Sequence, residues 1–519
     1  MRYLVSGAQM KEIDRFTIQE VGIPSLVLME RAAMAVAEEA HRAAGPGGRV
    51  LAAAGLGNNG ADAVAAARML KEKGHPAAVI LAGDPERGTE ELKLQIEIAR
   101  RLGVEIEQFG DFIPGGCSVL IDGVFGVGLN RPVTGNYGDF LRFLKEIQAE
   151  TVVAVDVPSG VSSDTGALLG PALRADVTVT FGYEKIGCAV YPGKDYCGRL
   201  VVADAGFPAE AVRRSGASVF AWEKEDLSRL PARPAYSNKG TFGKVLVAGG
   251  RKNMAGAACL AALAAYRMGA GLVKILTPEA NREILQTFLP EAVLIPYEED
   301  RLFEEGGLSQ EDVERLCREA SAVVLGPGLG RDETAGKLVQ AVLSAACSPV
   351  VLDADGLNAV AEREELTRYF TENIVITPHL LEMSRLLGVP VGEIQKDLVG
   401  TAARYADRYG ITCVLKDAAT VVAGGDGSLF VNGSGCSAMA KGGTGDVLSG
   451  VIGALLAQGL DEPAAASLGV YVHGLAGERA AELHGERAVL AKDVADALGD
   501  VCSCRGRQEI RKKEVKDDE

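Results

Sequence analysis

Aromatic residues, positive charge and long apolar stretches are scarce in this sequence. Only 5% of its 519 residues are aromatic, whereas 64 are glycines. The formal net charge is -16. An acidic surface repels phosphate backbones, so nucleic-acid binding is disfavoured. No uncharged apolar stretch approaches the roughly 20 residues that a membrane helix requires, and no signal-peptide pattern is visible. We therefore expect a cytoplasmic protein without nucleic-acid or membrane partners.

Clustered cysteines are missing as well. The ten cysteines are scattered singly, mostly among Ala- and Val-rich segments, which indicates small buried side chains in a reducing compartment. Cys502 and Cys504 lie close together, but no second cluster completes a zinc site with them.

The length exceeds what one hydrophobic core supports, so two or three domains are expected. Continuous apolar strands alternate with helices, as in parallel sheets covered on both faces. This alternation lapses between about 207 and 240 and then restarts. We expect a Rossmann-like α/β domain over residues 1–220, a second α/β domain over residues 221–504, and a charged, disordered tail over residues 505–519. Residues 1–45 are predicted to form one or two helices.

The strongest local signal is the segment Lys441-Gly442-Gly443-Thr444-Gly445-Asp446, which precedes an apolar helix. Glycines let backbone amides approach a phosphate, and the helix dipole adds positive potential there. A carboxylate beside such an anion hole is placed to take a proton from a hydroxyl that attacks phosphorus. On this loop alone, the alternative that Asp446 is only a helix N-cap is equally open.

Glycine-rich or polar segments follow four consecutive predicted strands of the second half. Since the carboxyl ends of parallel strands meet at one edge of a sheet, this succession indicates an active site there. The segments are 326–330, 353–355 with Asn358, 377–379 with Glu382, and 416–420.

In the order of these motifs, residues 237–499 resemble the ADP/ATP-dependent NAD(P)H-hydrate dehydratases of the ribokinase-like superfamily. The segment Lys239-Gly240-Thr241-Phe242-Gly243-Lys244-Val245-Leu246 is similar to the N-terminal signature of that family. The resemblance implies a ribokinase-like fold and a substrate hydrated on its nicotinamide ring. ADP or ATP, with Mg²⁺, would phosphorylate the added hydroxyl, and elimination of phosphate would restore NAD(P)H.

The resemblance also implies roles for individual residues. Asp446 would be the catalytic base. The anion hole would comprise Gly443, Thr444 and Gly445. The nucleotide phosphates would contact Lys416, Asp417, Ala418, Ala419 and Thr420, and the hydrate pocket would contain Ala257, Gly328 and His379 besides Asp446. The chain departs from the family at Leu380-Leu381, where Pro-Gly is usual, and at Ala419, where a threonine is usual.

The first half also contains candidate site residues at the ends of its predicted strands. A loop of glycines and asparagines, residues 55–60, follows the first predicted strand and opens a helix, which is a phosphate-cradling position. Asp122 and Asp156 each end a predicted strand, and either alone is more simply explained as a cap or loop anchor. Together with Ser159 they outline a cleft of carboxylate, hydroxyl and carbonyl oxygens, which suits a hard cation.

Residues 8–206 resemble the NAD(P)H-hydrate epimerases. The resemblance rests on Gly57-Asn58-Asn59-Gly60, the segment 122–128, Asp156-Val157-Pro158-Ser159-Gly160 and the segment 181–187. It implies a potassium ion held by Asn59, Asp122 and Ser159. The implied hydrate-binding residues are Asn58, Asn59, Gly60, Ala61, Asp62, Gly126, Val127, Gly128, Leu129, Asn130, Arg131, Pro132, Tyr137 and Asp156.

Epimerisation requires a general acid/base pair or assisted ring opening. Asp156 is the first candidate base on position, and Lys185 is the second. The family has Gly-Asp-Gly where this chain has Ala61-Asp62-Ala63. The two added methyl groups are expected to weaken binding or shift the loop.

The sequence therefore predicts a bifunctional enzyme that epimerises and dehydrates NAD(P)H hydrate, acting as a homo-oligomer. Two alternatives remain open. In the first, the second half is a ribokinase-like kinase of a vitamin or sugar alcohol. In the second, the first half is a non-catalytic nucleotide-binding or interaction module.

Overall fold

The computed structural model describes residues 1–111 and 115–503, so the predicted tail at 505–519 lies outside the described residues. The chain forms two compact units. One comprises Tyr3–Val219 and Gln395–Asp397, and the other comprises Met1–Arg2, Phe220–Ile394 and the described residues 398–503. None of the described helices is both long enough and apolar enough to span a bilayer.

The N-terminal unit is built from strands that alternate with helices. Its strands are β1 (Arg2–Val5), β2 (Val50–Ala54), β3 (Ala77–Leu81), β4 (Glu105–Gln108), β5 (Cys117–Gly123), β6 (Ala149–Val155), β7 (Val177–Phe181), β8 (Glu184–Lys185) and β9 (Arg199–Ala203). Its α-helices are α1 (Gly7–Arg15), α2 (Ser25–Ala44), α3 (Asn58–Glu72), α4 (Glu90–Arg101), α5 (Gly135–Glu146), α6 (Ile186–Ala189), α7 (Gly193–Cys197) and α8 (Ala209–Arg214).

Seven of these strands form a parallel sheet in the order β4-β3-β2-β5-β6-β7-β9. The strand order reverses at β2 and β5, whose carboxyl ends therefore flank a crevice where ligands of open α/β sheets bind. Strand β2 is buried along its whole length, as expected for a strand covered on both faces. The Rossmann-like prediction for this unit is confirmed.

The C-terminal unit continues the chain with β10 (Val219–Ala221), β11 (Lys244–Ala248), β12 (Leu272–Pro278), β13 (Val293–Tyr297), β14 (Ala322–Leu325), β15 (Val350–Leu352), β16 (Ile374–Ile376), β17 (Thr412–Leu415), β18 (Val421–Ala423) and β19 (Leu429–Val431). Its α-helices are α9 (Ala255–Arg267), α10 (Arg282–Phe288), α11 (Gln310–Glu319), α12 (Glu333–Ala345), α13 (Asp355–Glu362), α14 (Leu380–Leu387), α15 (Val391–Gln395), α16 (Leu398–Tyr409), α17 (Thr444–Ala457) and α18 (Glu462–His484). Residues 491–503 are also helical.

Nine strands of this unit follow the order β13-β12-β11-β14-β15-β16-β17-β18-β19. Pairing is parallel as far as β17 and antiparallel through the final hairpin. The order reverses at β11 and β14, so the crevice of this unit lies beyond their carboxyl ends. Helices α9 and α17 pack on the sheet, and their alanines and aliphatic residues belong to one buried core.

The N-terminal segment corrects one prediction. Residues 1–45 contain a strand before the helices, because Leu4 and Val5 of β1 pair in parallel with Glu184 and Lys185 of β8. That pairing joins positions far apart in the chain, so no local sequence pattern predicts it. The edge strands β4 and β13 were also not predicted; β4 is polar and largely exposed, which removes the apolar signal of a buried strand.

Candidate active sites

The N-terminal unit contains a cavity of about 570 Å³ at the carboxyl ends of β2 and β5. Its wall includes residues of the Gly-Asn-Asn loop, of the segment after β5, and of helices α1 and α2. Among the predicted hydrate-binding residues, those that line it are Asn58, Asn59, Asp62, Gly126, Val127, Gly128, Leu129, Tyr137 and Asp156. Nine of the fourteen predicted hydrate-binding residues therefore lie in this wall.

Five predicted hydrate-binding residues are not part of the described cavity wall: Gly60, Ala61, Asn130, Arg131 and Pro132. Ala61 and Ala63 are fully buried in the core that helix α3 shares with the sheet. Their methyl groups therefore pack inside the unit and do not line the cavity. Gly60 is needed for the turn itself, because a Cβ there would lie 2.0 Å from the Gly55 carbonyl oxygen.

Asp156 and Lys185 form a buried ion pair at the cavity. The fully buried Lys185 Nζ donates to Asp156 Oδ1 at 2.6 Å and also to Thr180 Oγ1 and the Phe181 carbonyl. Thr180 Oγ1 lies 3.0 Å from the same Oδ1. Asp156 has a left-handed backbone with φ 67°, a conformation unusual for a residue other than glycine. This strain is the kind held in place at functional sites.

Asp122 and Ser159 are joined beneath the loop that follows β5. Ser159 Oγ donates to Asp122 Oδ1 at 2.5 Å, and Ser159 N donates to Oδ2 at 2.8 Å. Burial raises the pKa of Asp122 to about 6, although these bonds oppose the shift. Asn59 approaches the same loop, since its Oδ1 lies 2.7 Å from where a Cβ on Gly126 would stand. The three predicted potassium ligands therefore surround one loop.

Sequence reasoning missed one carboxylate of this cavity, Asp14 of helix α1. Burial, then the nearby Asp156 carboxylate, raises its pKa to about 6, with Lys185 acting in the opposite direction. The same two causes, burial and Asp156, raise the pKa of Asp62 well above its ordinary value. A local signal existed: Met10 and Ile13 mark the buried face of α1, and Asp14 lies on that face beside them.

The C-terminal crevice is organised around Asp353, which follows β15 and is buried. Its Oδ1 accepts from Lys416 Nζ at 2.9 Å, and its Oδ2 accepts from Ser449 Oγ of α17. Although burial opposes ionisation, Lys416 and Ser449 hold the pKa of Asp353 below its ordinary value. Sequence reasoning placed Asp353 and Lys416 at one sheet edge but did not identify this pair or Ser449.

The glycine-rich loop places Asp446 in the first turn of α17, where Gly443 with φ 94° is the N-cap. The N-cap interpretation of Asp446 is therefore wrong. Burial, then the Asp353 carboxylate, raises the pKa of Asp446 to about 7, against the attraction of Lys416. Lys416 Nζ lies 3.4 Å from where a Cβ on Gly445 would stand, so Lys416 lies against the glycine-rich loop that precedes Asp446.

His379 caps helix α14 and faces the same crevice. Its Nδ1 accepts from the amides of Leu381 and Glu382, and its own amide donates to Glu382 Oε2 at 2.8 Å. Burial and the neighbouring Lys416 lower the pKa of His379. Glu382 is buried, and its pKa is raised by that burial to about 7. With Nδ1 accepting, the neutral ring presents Nε2–H as a donor.

The remaining predicted residues divide between the surface and the core. Ala418 is exposed, Asp417 is half-buried, and Ala419 and Thr420 are buried behind the segment that starts at Lys416. Thr444 Oγ1 bonds to the carbonyls of Met439 and Lys441, which fixes the loop. Ala257 and Gly328 touch across the crevice, because a Cβ on Gly328 would lie 2.9 Å from the Ala257 methyl group.

Fold and side chains together define a two-site α/β enzyme. One cavity holds carboxyl groups suited to acid–base chemistry, and the other crevice joins a glycine-rich loop to a carboxylate whose pKa is about 7.

Comparison with known proteins gives the family. Residues 245–499 match the family model described as NAD(P)H-hydrate dehydratase, and residues 25–187 match the model described as YjeF-related protein N-terminus. A bifunctional NAD(P)H-hydrate repair enzyme Nnr from Moorella thermoacetica is 37% identical over 96% of both chains. The protein of that description from Thermofilum pendens is 35% identical over 92% of both. The chain belongs to the family of bifunctional NAD(P)H-hydrate repair enzymes.

Among solved structures, an ADP/ATP-dependent NAD(P)H-hydrate dehydratase from Bacillus subtilis, co-crystallised with ATP/Mg²⁺, is 32% identical. The match covers 54% of this chain and 96% of that one, with a TM-score of 0.45.

Proposed function

We propose that this protein repairs hydrated NAD(P)H in two steps on one chain. The N-terminal unit interconverts the R and S epimers of the hydrate. The C-terminal unit dehydrates the S epimer, with ADP or ATP as phosphate donor. The names of the full-length relatives support this proposal, and a cytoplasmic homo-oligomer remains our expectation.

The observation that carries the dehydratase proposal is the position of Asp446 beside the anion hole. A base works best when its pKa lies near the working pH, and the pKa of Asp446 is raised to about 7 by burial. Asp446 takes the proton of the added hydroxyl, whose oxygen attacks the terminal phosphorus of the nucleotide. The amides at 443–445 and Lys416 stabilise the charge that develops on phosphate.

Mg²⁺ fits the same crevice. Asp353, Asp355 and Glu382 each raise the pKa of Asp446, and this surplus of carboxylate charge favours a divalent cation. Nucleotide phosphates supply most ligands of such an ion, and one or two carboxylates complete the set. Crevice carboxylates other than the base Asp446 would supply these ligands, and the ion would neutralise charge on the transferred phosphate.

Potassium fits the loop after β5 in the N-terminal unit. Asp122, Ser159 and Asn59 offer carboxylate, hydroxyl and amide oxygens, and the Phe125 carbonyl lies 3.4 Å from Ser159 Oγ. A cation held there would neutralise the buried Asp122 and fix the loop that lines the hydrate cavity.

The test is recovery of NADH from a mixture of both hydrate epimers, followed by absorbance in the presence of Mg²⁺, K⁺ and either ADP or ATP. We expect full recovery with one of the nucleotides. Recovery that stops at the S fraction would contradict the epimerase half of the proposal. A stable phosphorylated product without NADH would support the kinase alternative instead.

A further inference from the structure

The cavity of the N-terminal unit contains a carboxyl group for which the residues carried over from the epimerase resemblance provide no role. We propose that Asp14 of helix α1 is the general acid of epimerisation and works with Asp156 as the base. This proposal rests on the epimerase function proposed above. It assigns the proton donor that the reaction requires in addition to a base.

The fold brings Asp14 to Asp156 through the first residues of the chain. Strand β1 pairs with β8, which carries Lys185, and α1 begins two residues after β1 ends. Gly7 allows this helix to pack closely, because a Cβ there would lie 2.6 Å from the Val127 carbonyl oxygen. The Gly7 amide also donates to Asp164 Oδ1 at 2.6 Å. Asp14 is thereby fixed in the wall of the cavity.

Asp156 is equipped as the base of the pair. Lys185 Nζ, Thr180 Oγ1 and the Phe181 amide converge on one oxygen, Oδ1. The ammonium group of Lys185 stabilises the ionised carboxylate, and none of these three donors occupies Oδ2. Asp14 has the opposite environment, because burial and the negative charge of Asp156 raise its pKa to about 6. Two carboxyl groups with diverging environments are the usual basis of an acid–base pair.

The reaction balances with these two groups alone. Asp156 takes the proton from the hydroxyl on the hydrated carbon, and a carbonyl forms as the bond from that carbon to the ring nitrogen breaks. The bonding electron pair goes to nitrogen, which receives the proton of Asp14. After rotation of the aldehyde, nitrogen attacks its other face, the new oxyanion takes the proton held by Asp156, and nitrogen returns its proton to Asp14.

The charges that face Asp14 determine the pH dependence. Asp62 of α3, Asp156 after β6, Lys185 of β8 and Lys11 of α1 all line the cavity with it. The acid must be protonated, so epimerisation should slow as the pH rises above about 6. An asparagine at position 14 donates no proton, and this dependence should disappear in the variant.

The experiment uses the full-length enzyme and both epimers with Mg²⁺, K⁺ and nucleotide. The S epimer is consumed first, and the slower second phase reports epimerisation. We expect Asp14→Asn to slow the second phase by roughly 10²–10⁴-fold, the usual contribution of a general acid, and to leave the first phase unchanged. Asp14→Glu should restore part of the rate. Glu12→Gln, at an exposed ion pair with Arg15 on the same helix, is the matched control and should behave as wild type.

Three results would overturn the proposal in distinguishable ways. A wild-type enzyme without a second phase above the spontaneous rate would remove the epimerase function and the proposal with it. A second phase that keeps its rate and pH profile in Asp14→Asn would remove the proposal alone. Loss of the second phase in Asp62→Asn, with Asp14→Asn unaffected, would assign the acid to Asp62 and also overturn it.

Discussion

Asp446 is an ordinary aspartate in the sequence, and its surroundings give it the properties of a base. Burial and the carboxylates around it favour the protonated form, whereas Lys416 keeps ionisation accessible near neutral pH. The glycine-rich segment of the sequence identified Asp446 as a candidate base. Its pKa depends on Asp353, which follows β15, and on Glu382 of helix α14.

We predict that the dehydratase rate falls as the pH is lowered through about 7, because the base must be ionised and the pKa of Asp446 is about 7. Asp446→Asn should slow dehydration of the S epimer by roughly 10²–10⁴-fold. Because the pKa of Asp446 is raised in the folded state, its ionised carboxylate destabilises the fold, and this cost is fully present above about pH 7. The variant should therefore melt at the same or a higher temperature than wild type at pH 8. Full dehydratase activity in Asp446→Asn would refute the assignment.

Lys185 was only the second candidate base, and the structure shows it fully buried against Asp156. Lys185→Met should cost about 3–5 kcal/mol, since it leaves a buried carboxylate unpaired. The apparent melting temperature of the N-terminal unit should fall by roughly 10 °C. Lys93→Met is the matched control, because Lys93 forms an exposed ion pair with Glu90 and such pairs contribute about 0–1 kcal/mol. Equal melting temperatures for the two variants would contradict the prediction.

At the scale of elements, the start of α17 is the clearest case in which sequence and structure agree on a motif and differ on its geometry. The glycines at 442–445 predict a loop and then a helix. In the structure the helix begins at Thr444, inside the motif, and Gly443 alone of the first two glycines has a left-handed backbone. The second and third turns of α17 then bury their side chains in the core.

Gly443→Ala and Gly442→Ala are a matched pair that tests this geometry. At Gly443 a Cβ would lie 2.8 Å from Leu260 Cδ1, and a left-handed alanine costs about 1–2 kcal/mol. We expect weaker nucleotide binding and at least roughly tenfold slower dehydration. At the exposed Gly442 a Cβ meets nothing within 4 Å, and that variant should match wild type in nucleotide titrations. Equal loss in both variants would contradict this explanation.

Some strands have a clear pattern in the sequence, and others do not. Buried strands such as β2, β7 and β11 are continuous apolar runs between turns, which are a strong local signal in the sequence. Strands β1 and β4 lack that signal. Strand β1 forms through pairing with β8, and β4 is an exposed edge strand.

At the scale of the whole molecule, the side chains described at the two sites belong to different units, each with its own buried core. We therefore expect Asp156→Asn to lose epimerisation and keep dehydration, and Asp446→Asn to do the reverse. An equimolar mixture of the two variants should recover all the NADH from both epimers, because free hydrate passes between molecules through solution. Recovery that stops at the S fraction in the mixture would contradict independent sites.

By itself, the sequence determined two α/β modules, the family and the glycine-rich loops, because these depend on local patterns and ordered motifs. Only the tertiary structure decided which charges meet. The pairs Lys185–Asp156 and Lys416–Asp353 join residues from different strands, and Asp14 reaches its cavity through the pairing of β1 with β8. Protonation states follow from these long-range contacts and from burial, and neither is encoded at any single position of the chain.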